Sequence, residues 1–427
     1  MRGASLRESL TRSLERQRKI LGASVILTPV DSIPLFYDEQ DIAGFLHGLY
    51  ISDKLKNEGQ KKESIIQFSG RERATRDLSL IHRKLAQSLG AAAGSLRLLS
   101  GLHAHVAVFM SLAGIGDSVL RLPVSAGGHF ATEGILRRLG LRVSEMAVDR
   151  RRLCVDPDAT LEIVRRERPK FVFVDRSEGL RYEDFRFLGQ LQGPVKIFDA
   201  SQYLPQIICG HYENPLRWGF DLLVFSVHKS FPGPQKAGVA ARESGDVWQS
   251  LLRGLGELVS SAHPESSYRV GLVLANEQKL CSYTTRLLGT AVSLEERLLE
   301  TGVPAFRREL QGQADWPPTQ HLWIPLGTQE KAFDFFRMLE RARVHTTYRL
   351  LPYSLGWGVR MGTTAAAVAG LSEDGTAELA HIITDVFQRG YSLKARQRIR
   401  ALAKRMSTQA MTKWPYRSGE GGLSQSL

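Results

Sequence analysis

Apolar and polar positions alternate in blocks through the middle of the chain. From about residue 75 to 285, short apolar runs of strand length are separated by longer stretches with helical spacing. The predicted strands are 97–100, 118–122, 142–146, 171–174, 195–198 and 222–225. The predicted helices between them include 104–112, 131–139 and 158–166. This alternation predicts an α/β fold, with a mostly parallel sheet and helices on both of its faces.

Both ends of the chain depart from this pattern. Leu6, Leu10 and Leu14 share one face of a predicted helix over 6–21, with Arg and Glu between them, which indicates an N-terminal arm over 1–75. The large domain then spans 76–285. After about residue 290 the pattern becomes helix, strand, helix, with strands near 321–325 and 358–361, which predicts a smaller α+β domain over 286–417. The Gly/Ser-rich residues 418–427 are expected to be disordered.

Composition indicates a globular protein of several packed units. A chain of 427 residues is too long for one simple core, and its 43% hydrophobic and 24% charged residues are ordinary for such proteins. No apolar run approaches the roughly 20 residues that span a bilayer, so we expect no membrane partner. Cys154, Cys209 and Cys281 are widely spaced, which predicts neither a disulfide framework nor a metal site and favours the cytoplasm.

The net charge of +13 suggests nucleic acid, but its distribution argues against that partner. Eight Lys or Arg and no Asp or Glu fall between residues 394 and 417, so the C-terminal segment carries most of the excess. The basic positions 394, 396, 398, 400, 404 and 405 predict the solvated face of a helix. No zinc-finger spacing or aromatic RNA-binding motif accompanies them, so no nucleic-acid partner is expected.

A lysine stands at the end of one predicted strand and an aspartate at the end of another. Lys229 follows the apolar run 222–225, at the place where open α/β sheets carry their chemistry, and the Gly233-Pro234 turn comes directly after it. Asp199 closes the strand 195–198, thirty positions before the lysine. Each residue alone is common in loops and helix caps.

Two further motifs also lie at predicted strand ends. Ser100-Gly101 begins a predicted helix, whose free backbone amides suit a phosphate. Gly127-Gly128 precedes His129, and two glycines let the backbone approach a ligand closely and aim the ring inward.

These four motifs fit one chemistry together. A lysine that forms an imine, an aspartate that keeps a pyridine nitrogen protonated, a ring that stacks on a cofactor and an amide-lined phosphate cup describe a pyridoxal 5'-phosphate site. Pyridoxal 5'-phosphate is therefore the predicted cofactor.

At these residues the chain resembles serine hydroxymethyltransferase and its relatives, which are fold-type I pyridoxal-phosphate enzymes. The resemblance covers about residues 95–370 and is strongest at Gly127–His129 and at His228–Pro234. It implies a mostly parallel seven-stranded sheet and a homodimer, since such sites are usually completed across a two-fold interface.

The resemblance also implies a role for each matching residue. Lys229 would bind the cofactor covalently, Asp199 would pair with its ring nitrogen and His129 would stack on its ring. The further implied cofactor contacts are Ser177 at the phenolic oxygen, Ser100, Gly101 and Ser226 near the phosphate, and Gly233 at the phosphate of a partner subunit. Arg360 would bind the substrate carboxylate with both branches of its guanidinium, and Tyr50 would pack over the site.

The chain departs from the family at three positions. Gln202 stands where the family has a histidine and is itself counted among the expected cofactor contacts, and Leu102 replaces a phosphate-binding serine. Ser52 replaces the glutamate that serves the folate-dependent step, and Asp53 could substitute only with a register shift. The chemistry at Lys229 therefore looks intact, while folate use is in doubt.

The segments 127–133 and 228–236 resemble the threonine transaldolases of natural-product pathways. This subgroup implies folate-independent cleavage or formation of the Cα–Cβ bond of threonine or serine through a glycyl quinonoid, with an acceptor aldehyde, in specialised metabolism. His129 or His228 would transfer the proton. The alternatives are a folate-dependent hydroxymethyltransferase, an aminotransferase on the same scaffold and a non-catalytic relative.

Overall fold

The structure is a computed structural model that describes residues 6–35, 49–312 and 315–411. The strands are β1 Val25–Ile26, β2 Ala93–Ser95, β3 Ser118–Arg121, β4 Arg142–Glu145, β5 Val148–Asp149, β6 Cys154–Val155, β7 Phe171–Val174, β8 Val195–Asp199, β9 Leu222–Ser226, β10 Ala237–Ala241, β11 His321–Gly327, β12 Val344–His345, β13 Thr347–Leu350 and β14 Trp357–Gly362. The α-helices are Leu6–Leu21, Glu58–Lys62, Glu72–Ser88, Gly101–Leu112, Thr132–Arg138, Pro157–Glu167, Arg186–Gly189, Leu204–Ile208, Pro215–Trp218, Asp246–Leu258, Pro264–Ala275, Glu277–Glu300, Gln329–Arg341, Thr364–Val368, Glu373–Arg389 and Leu393–Gln409.

A seven-stranded sheet forms the centre of the large domain, in the order β2-β10-β9-β8-β7-β3-β4. The neighbours β9, β8, β7, β3 and β4 are all parallel, and β10 is antiparallel to both β9 and β2. Alternate residues of β7 pack into two separate apolar clusters, with Phe171 and Phe173 on one face and Val172 and Val174 on the other. Because both faces are covered, the strands are continuous apolar runs. The predicted sheet is confirmed.

The first strand of this sheet is not where the sequence indicated. The prediction of a strand over 97–100 was wrong, because Ala93–Ser95 pairs with Val239–Ala241 instead. Small residues give this edge strand a weak pattern. Leu96 and Leu98 bury their side chains from the extended connection that follows, which makes the connection look like a strand.

The C-terminal unit contains the antiparallel sheet β11-β14-β13. The helix Glu277–Glu300 runs across the predicted boundary at 285/286 and so links this unit to the large domain. The N-terminal arm also joins it, since Val25 and Ile26 pair in parallel with Val344 and His345.

The terminal helices follow the predicted patterns. The helix Leu6–Leu21 has the predicted bounds, and its leucines at positions 6, 10 and 14 are exposed in the single chain. In the helix Leu393–Gln409 the buried positions Ile399, Leu402 and Met406 lie on one face, and the basic side chains lie on the solvated side. The predicted disordered residues 418–427 lie outside the described residues.

The expectation that the cysteines form no disulfide was wrong. Cys209 and Cys281 are bonded to each other across 72 positions. The end of the helix Leu204–Ile208 packs against the helix Glu277–Glu300, which brings the two Cα atoms to 5.3 Å. Sequence spacing does not reveal such a tertiary contact. Cys154 is free and buried.

None of the helices in the described part of the chain combines the length and the apolar character needed to cross a membrane.

Candidate active site

The carboxyl ends of β7, β8 and β9 meet at one edge of the central sheet, because the three strands are parallel neighbours. Asp199 ends β8 and Ser226 ends β9. The end of β9 is joined to the loop after β8 by a hydrogen bond in which the Ser226 amide donates to Ser201 Oγ over 2.9 Å. The two predicted site residues are therefore close in space.

Asp199 is held at both carboxylate oxygens. His105 Nε2 donates to Oδ2 over 2.7 Å, and the Ser201 amide donates to Oδ1 over 2.7 Å. Burial would raise the pKa of Asp199, but the hydrogen bond and electrostatic effect of His105, together with Lys229, outweigh it and lower the pKa to about 2. The buried carboxylate is therefore ionised at neutral pH.

The charges of Asp199 and Arg360 both act on the amine of Lys229. Burial lowers the pKa of the Lys229 amine, Asp199 opposes that shift and Arg360 adds to it. A lysine with a lowered pKa releases its proton more readily and so becomes a better nucleophile towards a carbonyl group.

The two glycines before His129 place its ring beside His105. Gly127 has a φ of +85°, and a Cβ on Gly128 would lie 2.3 Å from the Leu122 carbonyl oxygen, so both positions require glycine. The His105 and His129 rings meet edge to face at 5.9 Å, and Phe130 stacks on His129 at 5.0 Å. Burial lowers the pKa of His129 to about 4, aided by His105 and Lys229, so this imidazole is neutral at pH 7.

The start of the helix Gly101–Leu112 forms a small polar cup with Ser226. Ser100 caps the helix by accepting from the His103 amide over 3.2 Å. A Cβ on Gly101 would lie 3.6 Å from Ser226 Cβ. Ser226 Oγ is buried, and no described residue forms a hydrogen bond with it. A buried hydroxyl next to helix-terminal amides fits a phosphate group.

Arg360 lies on β14 and reaches the same edge from the C-terminal unit. Its Nη2 donates to the Ser177 carbonyl oxygen over 2.9 Å and lies 3.3 Å from His321 Nε2. Its Nε lies 3.4 Å from Glu178 Oε2, and the other Glu178 oxygen pairs with Arg349. Burial lowers the pKa of Arg360, and Glu178 opposes the shift. Among the described residues, these contacts engage Nη2 and Nε of the guanidinium.

Four further predicted site residues remain to be placed, namely Gln202, His228, Gly233 and Tyr50. Gln202 Oε1 accepts from Gln320 Nε2 over 3.1 Å, and His228 Nδ1 lies 3.2 Å from the Lys236 carbonyl oxygen. Gly233 closes the turn after Lys229, where a Cβ would lie 2.6 Å from the Val227 carbonyl oxygen. The structure of the single chain does not bring Tyr50 to Lys229.

The Tyr50 ring packs on Phe68, with 5.0 Å between ring centroids. It lies at a pocket of about 440 Å³, whose basic lining residues include Lys54, Arg71 and Arg97.

Sequence reasoning missed His105, Ser201 and Glu178. A histidine inside the apolar helix 104–112 was the one available signal for His105, because a polar side chain on a buried helix needs a partner. The pairing of Glu178 with Arg360 joins positions 182 apart, and no local pattern indicates it.

The comparisons with known proteins concern the fold and the sequence of the chain. No family model matches the chain. A solved structure of L-threonine transaldolase from Pseudomonas fluorescens in its internal aldimine state has a TM-score of 0.82 and 20% sequence identity, and the match covers 95% of this chain and 93% of that one. The fold is therefore that of a fold-type I pyridoxal-phosphate enzyme, as predicted.

Two curated relatives extend the comparison to sequence. The chain is 31% identical over 333 residues to the fluorothreonine transaldolase of Streptantibioticus cattleyicolor, which is 75% of this chain but only 50% of that protein. It is 26% identical over 317 residues to a serine hydroxymethyltransferase of Pyrobaculum calidifontis, or 72% of this chain and 73% of that enzyme. The predicted resemblance to hydroxymethyltransferases and threonine transaldolases is confirmed.

Proposed function

We propose that the chain is a pyridoxal-phosphate-dependent enzyme that breaks and forms the Cα–Cβ bond of a β-hydroxy-α-amino acid. In this proposal it moves the glycyl part of threonine to an acceptor aldehyde without folate. The observation that carries the proposal is the buried group of Lys229, Asp199 and His129 at one sheet edge, with Arg360 reaching it from the C-terminal unit. The similarity to two transaldolases supports the choice of reaction.

The residues present fit the cofactor. Lys229 would bind it covalently, Asp199 would pair with its ring nitrogen, and His129 would stack on its ring. The unpartnered hydroxyl of Ser226, beside Gly101, would hold its phosphate. When bound, pyridoxal phosphate supplies a sink for the electron pair released as the Cα–Cβ bond breaks.

Arg360 would bind and orient the substrate through its carboxylate. Ser177 and Glu178 contact the guanidinium from two sides, through Nη2 and Nε, so within the described part of the chain Nη1 is the group proposed to meet the carboxylate. One anchored carboxylate sets which bond at Cα points away from the plane of the site, and orientation of this kind is a main source of rate enhancement.

His228 is our choice for the group that accepts the β-hydroxyl proton. The Lys236 carbonyl oxygen can only accept a hydrogen bond, so His228 Nδ1 carries a proton and Nε2 of the neutral ring has the lone pair that can accept one. His129 has the opposite tautomer, because its Nδ1 accepts from the Ala131 amide. As the bond breaks, the hydroxyl proton would pass to His228 Nε2 and then return to the alkoxide that forms when the acceptor aldehyde adds.

The folate-dependent alternative is disfavoured by the position of Asp53. Its Oδ1 accepts from Arg97 Nη2 over 2.7 Å, and the arginine is buried while Asp53 is half-buried. Asp53 is therefore paired with Arg97, and in this proposal it does not replace the glutamate for which the chain has Ser52.

We also propose a homodimer, in which Tyr50 would reach the site of the partner subunit. Tyr50 is 43% exposed in the single chain and stands among other exposed apolar residues, including Ile66 and Phe68. Location in the cytoplasm stays a prediction, since the Cys209–Cys281 bond removes the cysteine argument for it.

A turnover assay tests the function. Purified protein loaded with pyridoxal phosphate is incubated with threonine and an acceptor aldehyde, with and without tetrahydrofolate, and acetaldehyde is measured. We expect acetaldehyde without folate, and none from Lys229→Ala. Serine turnover that requires tetrahydrofolate, with no acetaldehyde from threonine, would favour the hydroxymethyltransferase instead.

A further inference from the structure

His105 is a buried histidine behind the site. Its side chain is 2% exposed, on the helix whose first residues form the phosphate cup. Its Nε2 lies 2.7 Å from Asp199 Oδ2, and its Nδ1 lies 3.5 Å from Thr132 Oγ1. The ring also packs edge to face on Phe173 at 4.8 Å. Contacts on several sides fix both its position and its tautomer.

The charged and titratable groups around His105 come from several elements. Asp199 at the end of β8 contacts it directly, and His129 faces its ring. Asp175, just past β7, and Arg121, at the end of β3, are both buried and lie in the same electrostatic neighbourhood. Lys229 acts on Asp199 from the site side.

This arrangement gives Asp199 a fixed geometry. Ser201 holds Oδ1 from the loop after β8, and His105 holds Oδ2 from a helix on the face of the sheet. A carboxylate bound at both oxygens is fixed in rotation. A hydrogen bond from a ring nitrogen to a buried carboxylate favours its ionised form.

We propose that His105 is a positioning residue that acts through Asp199, and that it keeps this carboxylate ionised and aimed at the ring nitrogen of the cofactor. The inference rests on the proposed function, because it requires pyridoxal phosphate in the site. Because His105 is buried and contacts Asp199, it would act on the cofactor through that carboxylate. Its removal should weaken the one contact that depends on a protonated ring nitrogen.

A comparison of two cofactors isolates this contact. The dissociation constants of pyridoxal phosphate, and of its analogue with C–H in place of the ring nitrogen, are measured by titration of cofactor-free protein. The proteins are wild type, His105→Gln and His105→Phe. The glutamine amide nitrogen corresponds in position to His105 Nε2, the atom that contacts Asp199, and can donate a hydrogen bond there, whereas the phenyl ring cannot. Circular dichroism of each cofactor-free protein checks that it is folded.

We expect His105→Phe to raise the dissociation constant of pyridoxal phosphate about tenfold to hundredfold, which is the range for a lost hydrogen bond to a charged group. Binding of the C–H analogue should stay the same or tighten. The affinity of His105→Gln for pyridoxal phosphate should lie between those of wild type and His105→Phe. If the binding of both cofactors were weakened equally, or if the binding of pyridoxal phosphate were not weakened, the role given to His105 would be overturned and the proposed function would stand. Failure of the wild-type protein to bind pyridoxal phosphate would overturn the proposed function as well.

Discussion

At the scale of single residues, the site is defined by buried charges with several partners each. Asp199 and Glu178 are both buried, and both stand next to cations at the edge of the central sheet. An isolated buried charge is costly, so each of these carboxylates requires the positive groups around it. Substitution of either residue should therefore affect stability as well as turnover.

Glu178→Gln tests the pairing with Arg360 and Arg349. The change leaves two buried or half-buried cations without their common anion. Loss of one partner from a buried pair typically costs about 3–5 kcal/mol, and the polar amide should hold the cost near the lower figure. Urea unfolding of the two proteins measures the difference.

Glu340→Gln is the matched control, because Glu340 pairs with Arg337 on the exposed surface. Its effect should stay below about 1 kcal/mol. Equal effects of the two substitutions would show that Glu178 is not a buried counter-charge.

Sequence patterns predicted Lys229, Asp199 and His129 as site residues, because each follows an apolar strand or a glycine pair. They missed His105 and Glu178, whose partners are distant in the chain and meet only in the fold. The Cys209–Cys281 bond was missed for the same reason. Tertiary pairing leaves little trace in one sequence.

At the scale of elements, the sequence predicted a strand most accurately where side chains on both faces of the strand are apolar. The strand over 171–174 was predicted at its observed bounds, because all four of its residues are buried. The edge strand Ala93–Ser95 was misplaced, because Ala and Gly carry little β signal and its neighbours Leu96 and Leu98 are more apolar.

The glycine turn before His129 offers a test at this scale. In Gly128→Ala the new methyl group would lie 2.3 Å from the Leu122 carbonyl oxygen, so the turn must shift and carry His129 with it. We expect a large loss of cofactor affinity and a lower melting temperature. Cofactor titration and thermal unfolding measure both.

Gly289→Ala is the control for this substitution. Gly289 lies inside the helix Glu277–Glu300, with nothing within 4 Å of an added Cβ. It should stabilise the protein by up to about 1 kcal/mol, because alanine is the better helix former. Unchanged cofactor binding in Gly128→Ala would contradict the role given to the turn.

At the scale of the whole molecule, buried histidines make stability depend on pH. Burial lowers the pKa of His82 and of His129 to about 4, from 6.5. The unfolded chain therefore binds more protons than the folded chain between about pH 6.5 and 4, and stability falls as the pH drops through this window. Above pH 6.5 both rings are neutral in the folded and in the unfolded chain, so neither lowers the free energy of unfolding there.

Urea unfolding at several pH values measures this dependence. Each such histidine should steepen the fall by about 1.4 kcal/mol per pH unit. His82→Phe and His129→Phe should each make the profile shallower. A profile of the same slope in both variants would contradict the assigned neutral state of these rings.

The proposed dimer is tested by mixing two defective chains. Lys229→Ala lacks the covalent anchor, and Tyr50→Phe lacks the hydroxyl proposed to act in the partner subunit. A hybrid dimer would contain one site with both natural residues, so co-expressed chains should be more active in threonine turnover than either variant alone. Hybrid dimers with no more activity than the two variants would show that Tyr50 does not act across an interface.

The most direct test of the whole account is to locate the covalent bond to the cofactor. Protein loaded with pyridoxal phosphate is reduced with borohydride, digested and analysed by peptide mass spectrometry. The account predicts a single pyridoxyl phosphate adduct on Lys229, which is lost in Lys229→Ala. An adduct on a different lysine, or no adduct on Lys229, would contradict it.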